Sequence, residues 1–347
     1  MKKIFYIIIL LFAVSCGDNN EGLTALFYKT QNVCLSEKVC DVNDIIQAPS
    51  DFNIIGKNFI FIEPKLDTML SIYNIEYKNH TKILTKGQGP NEMIDIQSIE
   101  IGQNDNEVSV YDVLTKKMFL IDLSTKSIRK DSLFEQLKDS LDISCMSYHN
   151  SLSIYTLVNN DKHFCLVNDS IYISFGDMNF APDINPKTLS NVILGYSKLS
   201  KQNQKIVWAS MFGDIIEIFD YSDLRNIKLV KSIVLNIPDV DFMGSLLGST
   251  NLGVMSLTYS DKFIYALYSG KTLNLLKQIV SGGETYKLKI GQNILIFDWN
   301  GNPIKRINVD KDVFSICYDN ITDTLYCLGL DEQGDFAIFK MSNNNLE

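Results

Sequence analysis

The chain has 347 residues, of which 46% are hydrophobic and 21% charged, a mixture typical of globular proteins rather than of disordered chains. Its 32 Lys and Arg against 41 Asp and Glu give a formal net charge of -9, which argues against nucleic acid as a partner, because nucleic-acid binders carry a basic excess. The 3 histidines, His80, His149 and His163, are far apart in sequence, which disfavours a His-rich metal site or several catalytic imidazoles.

The first residues predict an export signal. Two lysines precede residues 4–14, an apolar run that is too short to span a bilayer but suits the core of a signal peptide. Small residues follow, and the segment AVSC that ends at Cys16 resembles a bacterial lipobox, after which the cysteine is acylated and becomes the new N-terminus. An ordinary cleaved signal peptide and a short buried helix are the alternatives.

This reading divides the chain into a signal peptide (1–15), a lipidated tether (16–22) and one folded domain (23–347). Acyl chains on Cys16 would hold the protein on a membrane without a transmembrane helix. The predicted location is the cell envelope, lipid-anchored at the outer membrane, with the side of the membrane left open.

Six cysteines follow Cys16, and their sequence settings differ. Cys34 and Cys40 are close in sequence and are the predicted pair if this exported chain carries a disulfide. The other four lie in apolar strand-like runs, where a cysteine commonly serves as a small buried hydrophobe: Cys145, Cys165, Cys317 and Cys327. The absence of CxxC leaves a zinc ribbon or a thioredoxin-type site unsupported.

The body of the chain is typical of short strands joined by tight turns. Runs of Ile, Val, Leu, Phe, Tyr and Thr recur between turns rich in Asn, Asp, Gly and Lys. One unit has strands at 107–111, 117–122 and 127–130, and five similar units are recognisable. Together they cover residues 52–341, about 48 residues per unit, which is the size of a four-stranded propeller blade.

Six such units predict an all-β fold, a single six-bladed β-propeller whose blades pack face to face. The last unit has three clear strands, so the ring needs an outer strand from elsewhere. Residues 23–28 are predicted to supply it and so to close the ring between N-terminus and C-terminus. A β-sandwich with a second domain does not account for six similar units, and a parallel β-helix needs shorter repeats.

The heptapeptide from Lys86 to Glu92, KGQGPNE, is similar to the G-x-G-P-x-E loop of the TolB-like six-bladed β-propeller lipoproteins. The last unit, from Tyr318 through Cys327 to Met341, also resembles the final blade of that family. The resemblance covers nearly the whole mature chain and implies a propeller fold and a cell-envelope location. It implies no catalytic residue, because the family has no common activity.

The same loop is the first candidate ligand site. Its glycines and proline favour a rigid turn between blades, with Glu92 accepting hydrogen bonds from loop amides. The functional alternative is a ligand contact on the channel rim through Gln88, Asn91 and Glu92. No Gly-Lys-Ser/Thr follows, so the loop lacks a phosphate-binding signature.

Long connections indicate a second candidate surface. With the strands of each blade labelled a to d from the axis outward, residues 86–95, 176–191 and 236–251 are d-to-a connections and residues 269–290 a b-to-c connection, all on one face. Loops of such length are uncommon unless they are functional or disordered. Phe180, Phe242 and Tyr286 lie in them and could stack on a sugar or a peptide; plugging the channel mouth is the alternative.

The predicted function is a non-enzymatic envelope module that binds a glycan, a peptide or a partner protein, with no cofactor, metal or catalytic residue assigned. The alternative is a propeller hydrolase, lactonase or lyase with a divalent metal in the channel. Asp239 with Asp241, or Asp310 with Asp312, could serve it, although acidic loop residues are generally solvated. No G-x-S-x-G motif occurs. Three or four converging carboxylate or Asn oxygens in the channel would favour the enzyme.

Overall fold

The computed structural model of the protein describes residues 22–41, 46–47, 49–102, 104, 106–149, 152–281 and 289–341. Within them, runs rich in Ile, Val, Phe and Tyr form strands, because β-branched and aromatic side chains pack well on a pleated surface. The strands make six sheets of four or five strands each. The first strands of the six sheets contact one another in a ring, so the protein is a six-bladed β-propeller and the predicted fold class is confirmed.

The strands run in chain order from blade to blade. Before the first blade come a 3-10 helix (Gly22–Leu26), β1 (Thr30–Val33) and β2 (Lys38–Asp41). Blade one is β3 (Asp51–Ile55), β4 (Asn58–Ile62), β5 (Thr68–Asn74) and β6 (Asn79–Thr85). Blade two is β7 (Ile96–Ile101), β8 (Glu107–Asp112), β9 (Lys117–Asp122) and β10 (Ile128–Lys130), followed by α1 (Ser132–Leu137). Blade three is β11 (Ile143–His149), β12 (Leu152–Leu157), β13 (Lys162–Asn168) and β14 (Ile171–Asp177), followed by α2 (Pro186–Val192).

The second half of the ring has the longer strands. Blade four is β15 (Gly195–Ser200), β16 (Lys205–Ser210), β17 (Asp214–Asp220) and β18 (Lys228–Asn236). Blade five is β19 (Asn251–Tyr259), β20 (Phe263–Thr272), β21 (Asn293–Asp298) and β22 (Pro303–Val309), with α3 (Leu273–Ser281) after β20. Blade six is β23 (Val313–Asp319), β24 (Thr324–Leu330) and β25 (Phe336–Met341).

An N-terminal strand closes the ring, as predicted, but it is not the predicted segment. The outermost strand of blade six is β2, which pairs antiparallel with β25 from Lys38 opposite Phe339 to Asp41 opposite Ala337. Residues 23–28 form no strand; they begin in the 3-10 helix. Leu23 lies in this helix and Phe27 directly follows it, and both side chains are buried between blades four and five. That insertion accounts for the apolar pattern that suggested a strand.

Strand β1 was not predicted as part of a blade. It adds a fifth strand to blade five by pairing parallel with β22, from Thr30 opposite Arg306 to Val33 opposite Val309. The N-terminal segment therefore joins blade four, blade five and blade six before the first blade begins. We call residues 22–41 the N-terminal belt.

The core lies between neighbouring blades. Apolar side chains from the middle strands of adjacent sheets meet there and are fully buried, as at Phe119, Phe164, Trp208 and Phe297. His163 is one of these core residues: its ring lies 4.1 Å from that of Phe164, and burial lowers its pKa to about 3. This histidine packs as a neutral aromatic group and takes no part in the channel.

The strand order gives the two ends of the ring different loops. Each innermost strand is followed by antiparallel neighbours, so the d-to-a and b-to-c connections leave from one end, the long-loop face, and the a-to-b and c-to-d turns from the other, the turn face. All four predicted long connections belong to the long-loop face, as expected. Two of them contain α2 and α3, and α1 lies in a further d-to-a connection there that was not predicted.

The cysteines differ in part from expectation. Cys34 and Cys40 form no disulfide with each other, so the predicted pairing is wrong; the Cys34 thiol instead donates to Asp310 at 3.1 Å. Cys145, Cys165, Cys317 and Cys327 are free and buried, as predicted. Cys16 and the signal peptide lie outside the described residues.

Among the helices that the structure describes, none combines the length and the apolar character that crossing a bilayer requires.

Candidate functional site

The central channel contains a cavity lined by residues from all six innermost strands. Its volume is about 70 Å³, which holds a few water molecules. Because side chains of a strand point alternately to opposite sides, every second residue of each innermost strand faces the axis. The side chains that line the cavity are mostly polar: Asp51 and Asn53, Glu100, Ser147, Tyr196 and Lys198, Ser256 and Thr258, and Cys317.

An ion pair crosses this channel. Lys198 of blade four places its Nζ 2.6 Å from Oε1 of Glu100 in blade two, so the pair spans the front of blade three. The two side chains are only 18% and 11% exposed. Charge-assisted hydrogen bonds of this length are among the stronger polar contacts in proteins, so the pair fixes both side chains across the channel.

Asp51 of blade one is the second carboxylate of the cavity. It accepts hydrogen bonds from the Ser315 hydroxyl and from the Phe52 amide, the latter at 2.9 Å. Burial raises the pKa of Asp51, although Ser315 and the Lys198 ammonium oppose the shift. The Lys198 ammonium therefore attracts the Asp51 carboxyl as well as that of Glu100.

The charges in the cavity do not balance when all groups are ionised. Burial raises the pKa of Glu100 as well, and the nearby Asp51 carboxyl adds to the rise, although Lys198 opposes it. Burial alone would lower the pKa of Lys198, but attraction to Glu100 outweighs it and keeps that pKa above its ordinary value. When both carboxyls are ionised, the cavity holds one ammonium and two carboxylates, so a proton or a cationic ligand would balance its charge.

Side-chain hydrogen bonds connect the innermost strands around the cavity. Asn53 donates to the Ile99 carbonyl at 2.9 Å and accepts from the Cys317 thiol at 3.1 Å. Ser256 lies 3.2 Å from the Ser315 hydroxyl. These contacts bridge blades five, six, one and two, so the polar wall is fixed before any ligand binds.

The cavity lies toward the turn face. Glu100, Thr258 and Cys317 are near the ends of their strands, and the innermost strands run from the long-loop face to the turn face. Tyr148, Tyr259, Tyr318 and the exposed Asn320 line the turn-face end of the cavity, its mouth, whereas Asp51 and Tyr196 stand near the starts of their strands.

The thiols of the channel are poor nucleophiles. Burial raises the pKa of Cys317 to about 12 and that of Cys145 to about 11, so both are protonated at neutral pH. Among the described residues, no group of three or more His, Cys, Asp or Glu side chains is placed to hold a metal ion.

The predicted site in the loop 86–95 is a braced turn. The Glu92 carboxylate accepts from the Gly89 amide at 2.7 Å, as the structural interpretation predicted. Lys117 of blade two donates to the carbonyls of Gln88, Gly89 and Glu92. Gln88 and Asn91 are exposed on the long-loop face, away from the cavity. A ligand contact at these residues stays a prediction.

The three aromatic residues predicted to contact a ligand differ in their surroundings. Phe180 packs against the core between blades three and four, so it has the apolar neighbours that the sequence did not reveal. Phe242 is 97% exposed at the tip of its loop. Tyr286 lies outside the described residues.

Three of the four paired loop acids have local structural roles. Asp241 accepts from the amides of Met243 and Ser245 at 2.8 and 2.9 Å and so caps its own turn. Asp310 accepts from the Leu35 amide at 2.8 Å, and Asp312 from the Gly291 amide at 3.2 Å. Asp241 therefore stabilises its own turn, Asp310 holds the N-terminal belt, and Asp312 holds the chain just before β21.

The channel charges were not predicted from the sequence. Asp51, Glu100 and Lys198 each lie in the first strand of a unit, whereas the repeat was recognised from the apolar middle strands. The available signal was a charged residue at an alternating position within the first strand of three separate units. Only the ring brings those positions together.

Comparison with known proteins agrees with this architecture. The sequence matches the family described as TolB-like 6-blade propeller-like over residues 29–320. The chain belongs to the TolB-like propeller family. No curated protein matches its sequence.

Solved structures share the fold at low sequence identity. A Bacteroides fragilis protein described as exported is 12% identical to this TolB-like chain, with a TM-score of 0.53, and the match covers 92% of this chain and 95% of that one. Kuenenia stuttgartiensis hydrazine synthase is 9% identical over 81% of this chain and 74% of that one, with a TM-score of 0.47. The Cps50 (Swd1) propeller domain of Myceliophteria thermophila is 10% identical over 85% and 96%, with a TM-score of 0.45.

Proposed function

We propose that this protein is a lipid-anchored component of the cell envelope that binds a cationic group of a peptide or protein partner in its channel, without catalysing a reaction. The observation that carries the proposal is the charge of the cavity, where Glu100 and Asp51 face the single ammonium of Lys198. A lysine or arginine side chain, or a chain-terminal ammonium, would supply the missing positive charge. A neutral glycan would not.

The envelope location has separate support. The sequence begins with an export-signal pattern and a lipobox-like segment ending at Cys16. The family assignment and the similarity to a Bacteroides protein described as exported agree with it. Location at the outer membrane follows from the sequence interpretation alone and is part of the proposal.

The metal-dependent enzyme is the weaker alternative. A divalent metal needs several converging oxygen or nitrogen ligands, whereas one of the two carboxyls, that of Glu100, is already bonded to the Lys198 ammonium at 2.6 Å. The Cys317 thiol is protonated and hydrogen-bonded to Asn53, which does not suit a nucleophile.

Paired peptides test the binding proposal. Acetylated peptides that contain one lysine are compared with the same peptides carrying norleucine, by thermal shift and then by calorimetry, because a ligand that binds the folded state raises its stability whatever its chemistry. We expect the lysine forms to bind and the norleucine forms to bind at least tenfold more weakly.

A matched pair of variants locates the site. Glu100→Gln should weaken binding at least tenfold. Glu107→Gln should leave it unchanged, because Glu107 is an equally buried carboxylate of blade two that pairs with Arg129, at 2.8 Å, outside the channel. The proposal fails if basic and norleucine peptides behave alike, or if both variants bind as the parent does.

A further inference from the structure

The long-loop face carries exposed apolar side chains that no blade covers. Phe242 is 97% exposed and Met243 73% exposed, at the tip of the connection between β18 and β19. The Asp241 carboxylate caps this turn, and Gly244 has a φ of +81° that favours glycine. The tip is therefore a fixed protrusion, and its two large apolar groups point away from the ring.

Helix α3 belongs to the same surface. Its sequence, LNLLKQIVS, places five apolar residues on one side and its polar residues on the other. None of its nine residues is buried, and Leu275 and Val280 are exposed. Amphipathic helices that lie in a membrane interface have this distribution.

Hydrogen bonds join the helix to the loop. The Leu273 amide donates to the Thr250 carbonyl at 2.9 Å, and the Asn274 amide donates to the Gly248 carbonyl at 2.8 Å. These bonds hold the start of α3 beside the loop. We call the exposed apolar residues of the loop and of α3 the docking patch: Phe242, Met243, Leu247, Leu275 and Val280.

The described chain begins at the root of this patch. The Leu23 amide donates to the Tyr268 hydroxyl, which itself donates to Asp214 at 2.6 Å. Asp214 also accepts from Asn236 and Asn251, the residues on either side of the Phe242 loop. Because Tyr268 lies on the strand that leads into α3, Gly22 stands where the loop and the helix both leave the ring.

The short tether sets the distance to the membrane. Gly22 follows Cys16 by six positions in the sequence, and an extended chain spans about 3.5 Å per residue, so an acylated Cys16 lies within about 20 Å of Gly22. A bilayer that holds those acyl chains is within the reach of the docking patch. A tether leaving from the turn face would instead place the patch on the far side of the ring.

We propose that the long-loop face docks on the lipid bilayer, with Phe242, Met243 and α3 inserted at the interface and the mouth of the channel facing away from the membrane. The inference rests on the lipid attachment at Cys16 that is part of the proposed function. It adds an orientation of the ring on the membrane. The turn face points away from the bilayer in this orientation, so the cationic-ligand cavity stays open to the surroundings.

The test places tryptophans at opposite ends of the ring. Phe242→Trp reports on the docking patch, and Ile321→Trp is the matched control, since Ile321 is 80% exposed in an a-to-b turn of the turn face. The native Trp208 and Trp299 are buried and give a constant background. On phosphatidylcholine vesicles with brominated acyl chains, we expect the tryptophan emission added at position 242 to fall at least twofold and the emission added at position 321 to stay unchanged.

Two measurements distinguish a failure of the lipid anchor from a failure of the docking. Mass spectrometry of the purified protein reads acylation of Cys16 directly. Quenching is repeated on the mature chain with Cys16→Ser and an N-terminal hexahistidine tag held by a nickel-chelating lipid, so docking is measured even if Cys16 carries no acyl chain. Equal quenching at both positions, quenching at neither, or quenching only at position 321 would overturn the proposed orientation. If the docking patch binds another protein and not lipid, tryptophan would be quenched at neither position.

Discussion

Replacing Lys198 by Met should destabilise the propeller mainly by leaving the Glu100 carboxyl without its ammonium partner. The two charged atoms lie 2.6 Å apart and both side chains are largely buried. Removing one partner of a buried ion pair costs about 3–5 kcal/mol, because the remaining charge is uncompensated. We expect a loss of about 3 kcal/mol at pH 8. The loss should be smaller at pH 5, because burial already raises the pKa of Glu100 and its carboxyl can become neutral by taking up a proton.

The measurement is a double-mutant cycle by urea denaturation. Lys198→Met, Glu100→Gln and the double variant are compared with the parent at pH 8. The double variant leaves neither charge of the pair, so its loss should be about 2 kcal/mol smaller than the sum of the two single losses. The control cycle uses Lys57 and Glu76, whose charged atoms are 2.7 Å apart but whose side chains are 62% and 46% exposed. Its coupling should stay below about 1 kcal/mol.

Additivity would refute this reasoning. Single losses at Lys198 and Glu100 that add to within about 0.5 kcal/mol would mean that the pair is not coupled across the channel. A coupling no larger than that of the exposed pair would mean that the channel is as well solvated as the surface.

Three further predictions concern the anchor, the ring and a buried acid. Cys16→Ser should block acylation and move the protein from the membrane fraction to the soluble fraction; an unchanged membrane fraction would contradict the anchor. Deleting Lys38–Asp41 should leave β25 as an unpaired edge and abolish the single cooperative melting transition in calorimetry, whereas a parent-like melt would mean that the ring closes without β2. Glu217 is buried, and its pKa is raised from 4.5 to about 7. The folded protein therefore binds this proton more tightly than the unfolded chain does, and the free energy of unfolding falls as pH rises between these values. Glu217→Gln should therefore gain about 3 kcal/mol relative to the parent between pH 4.5 and pH 7 in urea denaturation; equal pH profiles would contradict the shift.

The architecture was predictable because each blade repeats the same local signals. The same pattern of apolar middle strands and polar turns occurs six times, for example around Ile206, Phe263 and Leu325. The length of the repeated unit predicts a four-stranded blade. The closing strand was harder to predict. The segment containing Leu23 and Phe27 has the composition of a strand, whereas β2 at Lys38–Asp41 has few apolar residues, since it is an edge strand with one covered side.

The candidate site was less predictable than the fold. Asp51, Glu100 and Lys198 come from three separate blades, and nothing in their own neighbourhoods marks them as partners. The attraction between them depends on the radius of the ring and on the register of the innermost strands. Phe180 illustrates the converse: it lies in a long loop, where exposure was expected, but the loop folds back against the core.

The N-terminal belt determines when the ring can be completed. Thr30 pairs with Arg306 and Lys38 pairs with Phe339, so both belt strands lack their partners until nearly the whole chain is present. Pairings between such distant parts of a sequence form slowly, because the entropy of closing the loop opposes them. In a chain exported N-terminus first, the belt crosses the membrane long before blade six. The arrival of the final blade on the far side is then the event that converts an open series of sheets into a sealed ring.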